Sequence, residues 1–88
     1  MTPTALDQSL ALARIAAAAG KLCPARLERA AALVTDRRTV ILPDGRIEFP
    51  SELAGWWTAS VTDCDCPDRL RPCKHIIGAM LIRRAAEI

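Results

Sequence analysis

The residues of this 88-residue chain with the clearest capacity for chemistry fall in one short stretch. From position 64 it reads Cys-Asp-Cys-Pro-Asp-Arg-Leu-Arg-Pro-Cys-Lys-His, so that Cys64 and Cys66 form one close pair and Cys73 and His75 another, with six residues between the pairs. Three thiolates and an imidazole are a suitable donor set for tetrahedral zinc. A single intervening residue lets a tight turn aim two side chains at one point, and a six-residue loop closes one pair onto the other at modest entropic cost. Pro67 and Pro72 stiffen that loop and reduce what must be ordered. With three thiolates and a neutral imidazole the site carries about −1, and Arg69, Arg71 and Lys74 stand within or beside the loop to offset it. Four protein ligands leave no coordination position for water or substrate, so the expectation is one structural zinc and no enzyme activity. Disulfides among these cysteines would leave a thiol over or enlist Cys23, and would not explain His75. Iron–sulfur clusters are held mainly by cysteine. Cys23 lies far from the cluster and reads as a small buried apolar residue between two helices.

The elements that must position these ligands follow from periodicity. Met1 to Pro24 reads as a helix with its stop: Thr2 or Thr4 caps it, Pro3 suits the first turn, Leu6, Leu10, Ala13 and Ala17 form a stripe, and Gly20 ends it. Pro24 opens a second, amphipathic helix along Leu27, Ala30, Ala31 and Val34. Thr39 to Leu42 is β-branched and apolar, Pro43-Asp44-Gly45 is a turn, and Arg46 to Phe49 alternates as a half-buried strand does, with Pro50-Ser51 breaking the run. A loop through Gly55 leads to a third strand candidate, Trp56 to Val61, which sends its two tryptophans to opposite faces. His75 to Ala86 reads as a helix with Ile76, Ile77, Met80 and Leu81 as its buried stripe. The order α-α-β-β-β-loop-α makes an α+β chain: a helical extension over 1–38, packing on or dimerising a zinc-binding domain over 39–88.

Composition sets the energetic frame. Apolar residues make up 51% of the chain, but much of that is alanine, with one Phe, two Trp and no Tyr, so a metal cross-link is expected to carry much of the stability. No stretch reads as an export signal or as a membrane span, and four cysteines in such a chain favour metal binding in the cytoplasm over a disulfide framework. Net charge is +2, but Arg69, Arg71, Lys74, Arg83 and Arg84 cluster towards the end, where the only acid after Arg69 is Glu87. They are candidates for contacting an anionic partner.

The stretches Cys64-Asp-Cys-Pro-Asp and Pro72-Cys-Lys-His-Ile-Ile-Gly-Ala-Met-Leu, together with Arg46 to Ser51 and Trp56 to Val61 before them, resemble the SWIM zinc finger. The resemblance implies a compact β-β-α zinc module with Cys64, Cys66, Cys73 and His75 as ligands. That family occurs beside ATPases, in transposase-related proteins and in a kinase with ubiquitin-ligase activity, and serves as a DNA-binding or protein-interaction module. Two functions are therefore expected. In the first, the five basic residues contact the phosphates of DNA and an exposed tryptophan stacks on a base. In the alternative, the module binds a protein partner, or pairs with another copy through its N-terminal helices. Asp63, Asp65 and Asp68 are expected to cap turns in the metal loop.

Overall fold

The computed structural model describes residues 3–51, 55–69 and 71–87. Its elements are α1 (Pro3–Ala18), α2 (Pro24–Val34), β1 (Val40–Ile41), β2 (Ile47–Ser51), β3 (Gly55–Ala59) and α3 (Lys74–Glu87), an α+β fold with two helices ahead of the strands. Thr2 lies outside the described residues and Thr4 falls inside α1. The expected stripe of α1 is buried at Leu6, Leu10 and Ala13, with Ala5 joining them and Ala17 half-buried. Gly20, at φ +81, closes that helix: its N–H reaches the Ala17 carbonyl at 3.0 Å and the Lys21 N–H reaches Ala16 at 2.9 Å. This paired arrangement satisfies two carbonyls that a helix end otherwise leaves open, and it needs a left-handed residue. Pro24 starts α2, which buries Leu27, Ala30 and Val34.

The sheet is antiparallel in the order β1-β2-β3. Ile47 and Phe49 of β2 face the core, as the alternation requires, with Phe49 fully buried. Two expectations change here. Pro50 and Ser51 do not break the strand; they pair with Trp56 and Gly55 of β3. β1 reaches only Ile47 and Glu48, so among the described residues no strand lies on the other side of β2 at Pro50, and an edge tolerates proline's missing donor. The third strand ends at Ala59, and Ser60 and Val61 belong to the turn that follows. Of the expected loop through Gly55, residues 52–54 lie outside the described residues. Trp57 is half-buried against the core and Trp56 is exposed.

α3 is the hub. It packs against α1, α2 and β3, and it buries eight residues from His75 to Ala85 rather than a single stripe. Met80, expected in that stripe, is 42% exposed. It falls in the gap between α1 and the turn at Val61, lining clefts on both sides. Ser9 of α1 is fully buried and donates its hydroxyl hydrogen to the Leu81 carbonyl at 2.9 Å, so the α1–α3 contact is polar at its centre. Gly78 is where α3 crosses β2: a Cβ there would lie 2.9 Å from Phe49 Cζ. Residues of both segments, 1–38 and 39–88, contribute to one hydrophobic cluster. Among the described residues no helix is long and apolar enough to cross a membrane.

Candidate metal centre

The first ligand pair is sewn to the end of β3. Ala59 bridges to Cys64, the Ser60 N–H donates to the Asp63 carbonyl at 2.8 Å, and the Asp65 N–H reaches the Thr58 carbonyl at 3.3 Å. The carboxylates tighten the turn as expected: Asp63 Oδ1 accepts from the Cys64 N–H, and Asp65 Oδ1 from the Thr58 N–H, both at 2.9 Å. Ser60 Oγ accepts from the backbone of Thr62 and Asp63. The second pair sits at the start of α3. Cys73 immediately precedes the helix, its carbonyl accepts from the Ile77 N–H at 3.0 Å, and His75 falls in the first turn. One pair is thus fixed by a strand end and the other by a helix start.

These frames bring all four side chains together. Cys64, Cys66, Cys73 and His75 are buried, and one ligand atom from each lies within 4.8 Å of all the others. Cys73 Sγ is 3.9 Å from His75 Nδ1. Around a tetrahedral zinc with bonds of about 2.3 Å, neighbouring ligand atoms sit roughly 3.8 Å apart, so the cluster needs little adjustment to hold the ion. Burial pushes the Cys64 thiol up to about 12. Burial also acts to raise Cys66, but the Asp68 N–H and the Arg71 guanidinium outweigh it and hold that thiol below its usual value. Burial lowers His75, with Lys74 adding to the effect, which favours the neutral imidazole a metal requires. The His75 ring packs on Phe49, with centroids 5.6 Å apart, and so links the site to the core.

The basic residues divide. Arg71 turns into the metal loop: Nη1 donates to Cys66 Sγ at 3.5 Å, and Nη2 to the carbonyls of Cys64 at 3.0 Å and Cys66 at 3.3 Å. Arg83 pairs with Glu87 one turn on, at 3.5 Å. Arg69, Lys74 and Arg84 are exposed. Sequence reading missed two supports. Arg26 of α2 donates to the Pro72 carbonyl at 3.4 Å, tying the helical layer to the loop, and Phe49 backs the ligand histidine. The signal for the second was present, because a chain with one Phe places it where large apolar area matters most. Cys23, expected to be buried, is exposed. It occupies the extended residue just before α2, in the connection from α1, where the thiol has no core to enter.

A buried Cys3His set held by a strand end and a helix start defines a small structural zinc module, with one zinc ion as its fitting occupant. Residues 56–83 match the family model described as SWIM zinc finger, a span that contains all four ligands. Over that span the chain is similar to SWIM zinc fingers, with the four clustered side chains at the ligand positions. Comparisons with curated proteins and with solved structures return no match.

Proposed function

We propose that the chain is a non-catalytic, zinc-stabilised module that binds an extended segment of a partner protein. The observation that carries this reading is an apolar groove of about 430 Å³ between the β1–β2 hairpin and the C-terminal half of α3. Ile47, Ala79 and Ile82 form its floor, and Ile41, Arg46 and Arg83 stand at its rim. Val40 and Ile41 are 45% and 52% exposed on β1, whose outer edge has no strand partner among the described residues. A strand laid on that edge would gain backbone hydrogen bonds and send an aliphatic side chain into the groove. The closed ligand set gives zinc a role in holding the groove's walls and none in chemistry. Selection from a library of displayed peptides tests this: binders should lose affinity on Ile41→Asp while zinc content stays constant. Peptides indifferent to that change would refute the reading.

DNA binding is the second reading, favoured by exposed Lys74 and Arg69 beside the zinc loop and by exposed Trp56. It ranks second for three reasons. Arg71 is spent on the loop, Arg83 pairs with Glu87, and Asp63 and Asp65 bring negative charge to the same end of the molecule. Titration of labelled DNA across salt concentrations discriminates: phosphate contacts predict affinity falling steeply with salt, and Lys74→Gln should reduce that slope.

A further inference from the structure

We infer that the outer face of α1 pairs two copies of this chain in an antiparallel, two-fold helix contact. The helix is apolar on both sides. Its inward face buries Ala5, Leu6, Ser9, Leu10 and Ala13 against the core. On the opposite side, Ala11, Leu12, Ile15 and Ala18 recur at helical spacing along one exposed seam. Leu12 is 44% exposed and Ile15 is 67% exposed, the largest exposure among the big apolar side chains of the described residues. Water-facing helix positions seldom repeat this way without a partner, because each adds apolar area that association would remove.

The charges choose the occupant and its direction. Asp7 and Arg14 lie two turns apart on the same flank of the seam. In a parallel two-fold pair the same flank of the two copies falls on opposite sides of the seam, so Asp7 and Arg14 would meet no counterpart of their own kind or of opposite charge across it. In an antiparallel pair centred between Ala11 and Leu12, Ala11 of one copy meets Leu12 of the other and the small residue receives the large one. Each Asp7 then falls about 3 Å along the axis from the other copy's Arg14. Arg14 is already held on that flank by Glu28 of α2 at 2.8 Å, and its guanidinium has donors to spare. The seam is therefore complementary to itself in shape and charge, as a two-fold contact demands. One helix per copy covers less than the roughly 1,200 Å² of a tight interface, so the dimer is weak and reversible.

Sedimentation equilibrium on the zinc-loaded full chain tests this, over loading concentrations up to about 1 mM. A monomer–dimer equilibrium is expected, weakened at least about tenfold by Ile15→Glu and several-fold by Asp7→Lys. Circular dichroism and zinc stoichiometry check that both variants keep the fold, and Leu12→Ser serves as a second seam variant. Orientation is read by oxidation in a Cys23→Ser background. Ala11→Cys sits beside the two-fold axis and should cross-link, whereas the two Ala18→Cys positions lie about 20 Å apart and should not. A monomer at every concentration overturns the inference, as does self-association indifferent to Ile15→Glu. Equal cross-linking at Ala11→Cys and Ala18→Cys overturns the antiparallel arrangement.

Discussion

The zinc loop and the α1–α2 layer both lean on α3, but they are held by different physics. Around the loop, a few directional contacts do the positioning: two carboxylates on backbone N–H groups, Arg71 on two carbonyls, and four ligands aimed at one point. In the helical layer the contacts are mostly alanine, leucine and valine surfaces with one buried hydroxyl among them. Directional contacts fail when one member is lost. Area contacts fail in proportion to what is removed. The two regions should therefore respond differently to perturbation.

The largest effect is expected from Cys73→Ser or from chelation. Structural zinc contributes about 10–16 kcal/mol in small modules, against about 5–15 kcal/mol of stability for a whole domain. Native mass should fall from one zinc per chain to none, and amides of β3 and the loop should lose exchange protection. Full protection after chelation would break the contrast. Next comes Leu27→Ala, which empties a side chain 1% exposed and should cost about 2–5 kcal/mol in chemical denaturation while zinc stoichiometry holds at one. Gly78→Ala forces a Cβ to within 2.9 Å of Phe49 Cζ. The expected loss is about 1–3 kcal/mol. Because Phe49 backs His75, this variant alone should weaken the helical layer and the zinc affinity together. Arg71→Gln should act on the metal end only, loosening zinc by about ten- to a hundredfold in chelator competition with little change in the melting of the helices.

What could be read from the sequence follows the same division. Ligand spacing carries its own meaning, so Cys64, Cys66, Cys73 and His75 were legible without the fold, and so were the helices whose stripes repeat over three turns or more. Contacts made by packing three-dimensionally distant segments were not. Nothing local to Met80 shows that it faces a gap between α1 and the Val61 turn. Pro50 reads as a strand breaker until the shortness of β1 places it beyond the last β1–β2 pair, at Glu48. Arg71, Arg83 and Lys74 look alike as charges in a row. Only the structure separates the one that binds the loop from the one that pairs with Glu87 and the one that faces solvent. The groove is of the same kind, because Ile41 and Ile82 belong to different elements and meet only in the folded chain.

The smallest expected effect is that of Cys23→Ser, and it sharpens the contrast between the two ends from the chemical side. Cys23 is the exposed cysteine; Cys64, Cys66 and Cys73 are buried in the ligand cluster. The Arg26 backbone N–H, more than any nearby charge, holds the Cys23 thiol below its usual range, and its exposure makes it the accessible sulfur. Serine suits the position just before a helix at least as well as cysteine, so the melting temperature and zinc stoichiometry should not change. Alkylation of the native, zinc-loaded chain should add a single label, at Cys23, and after chelation under denaturing conditions all four cysteines should react. Thiolates bonded to zinc are protected by the metal as well as by burial, whereas Cys23 has neither. A second label gained before zinc leaves would mean that one of the three cysteine ligands exchanges freely, and the loop would then be a dynamic site rather than a fixed cross-link.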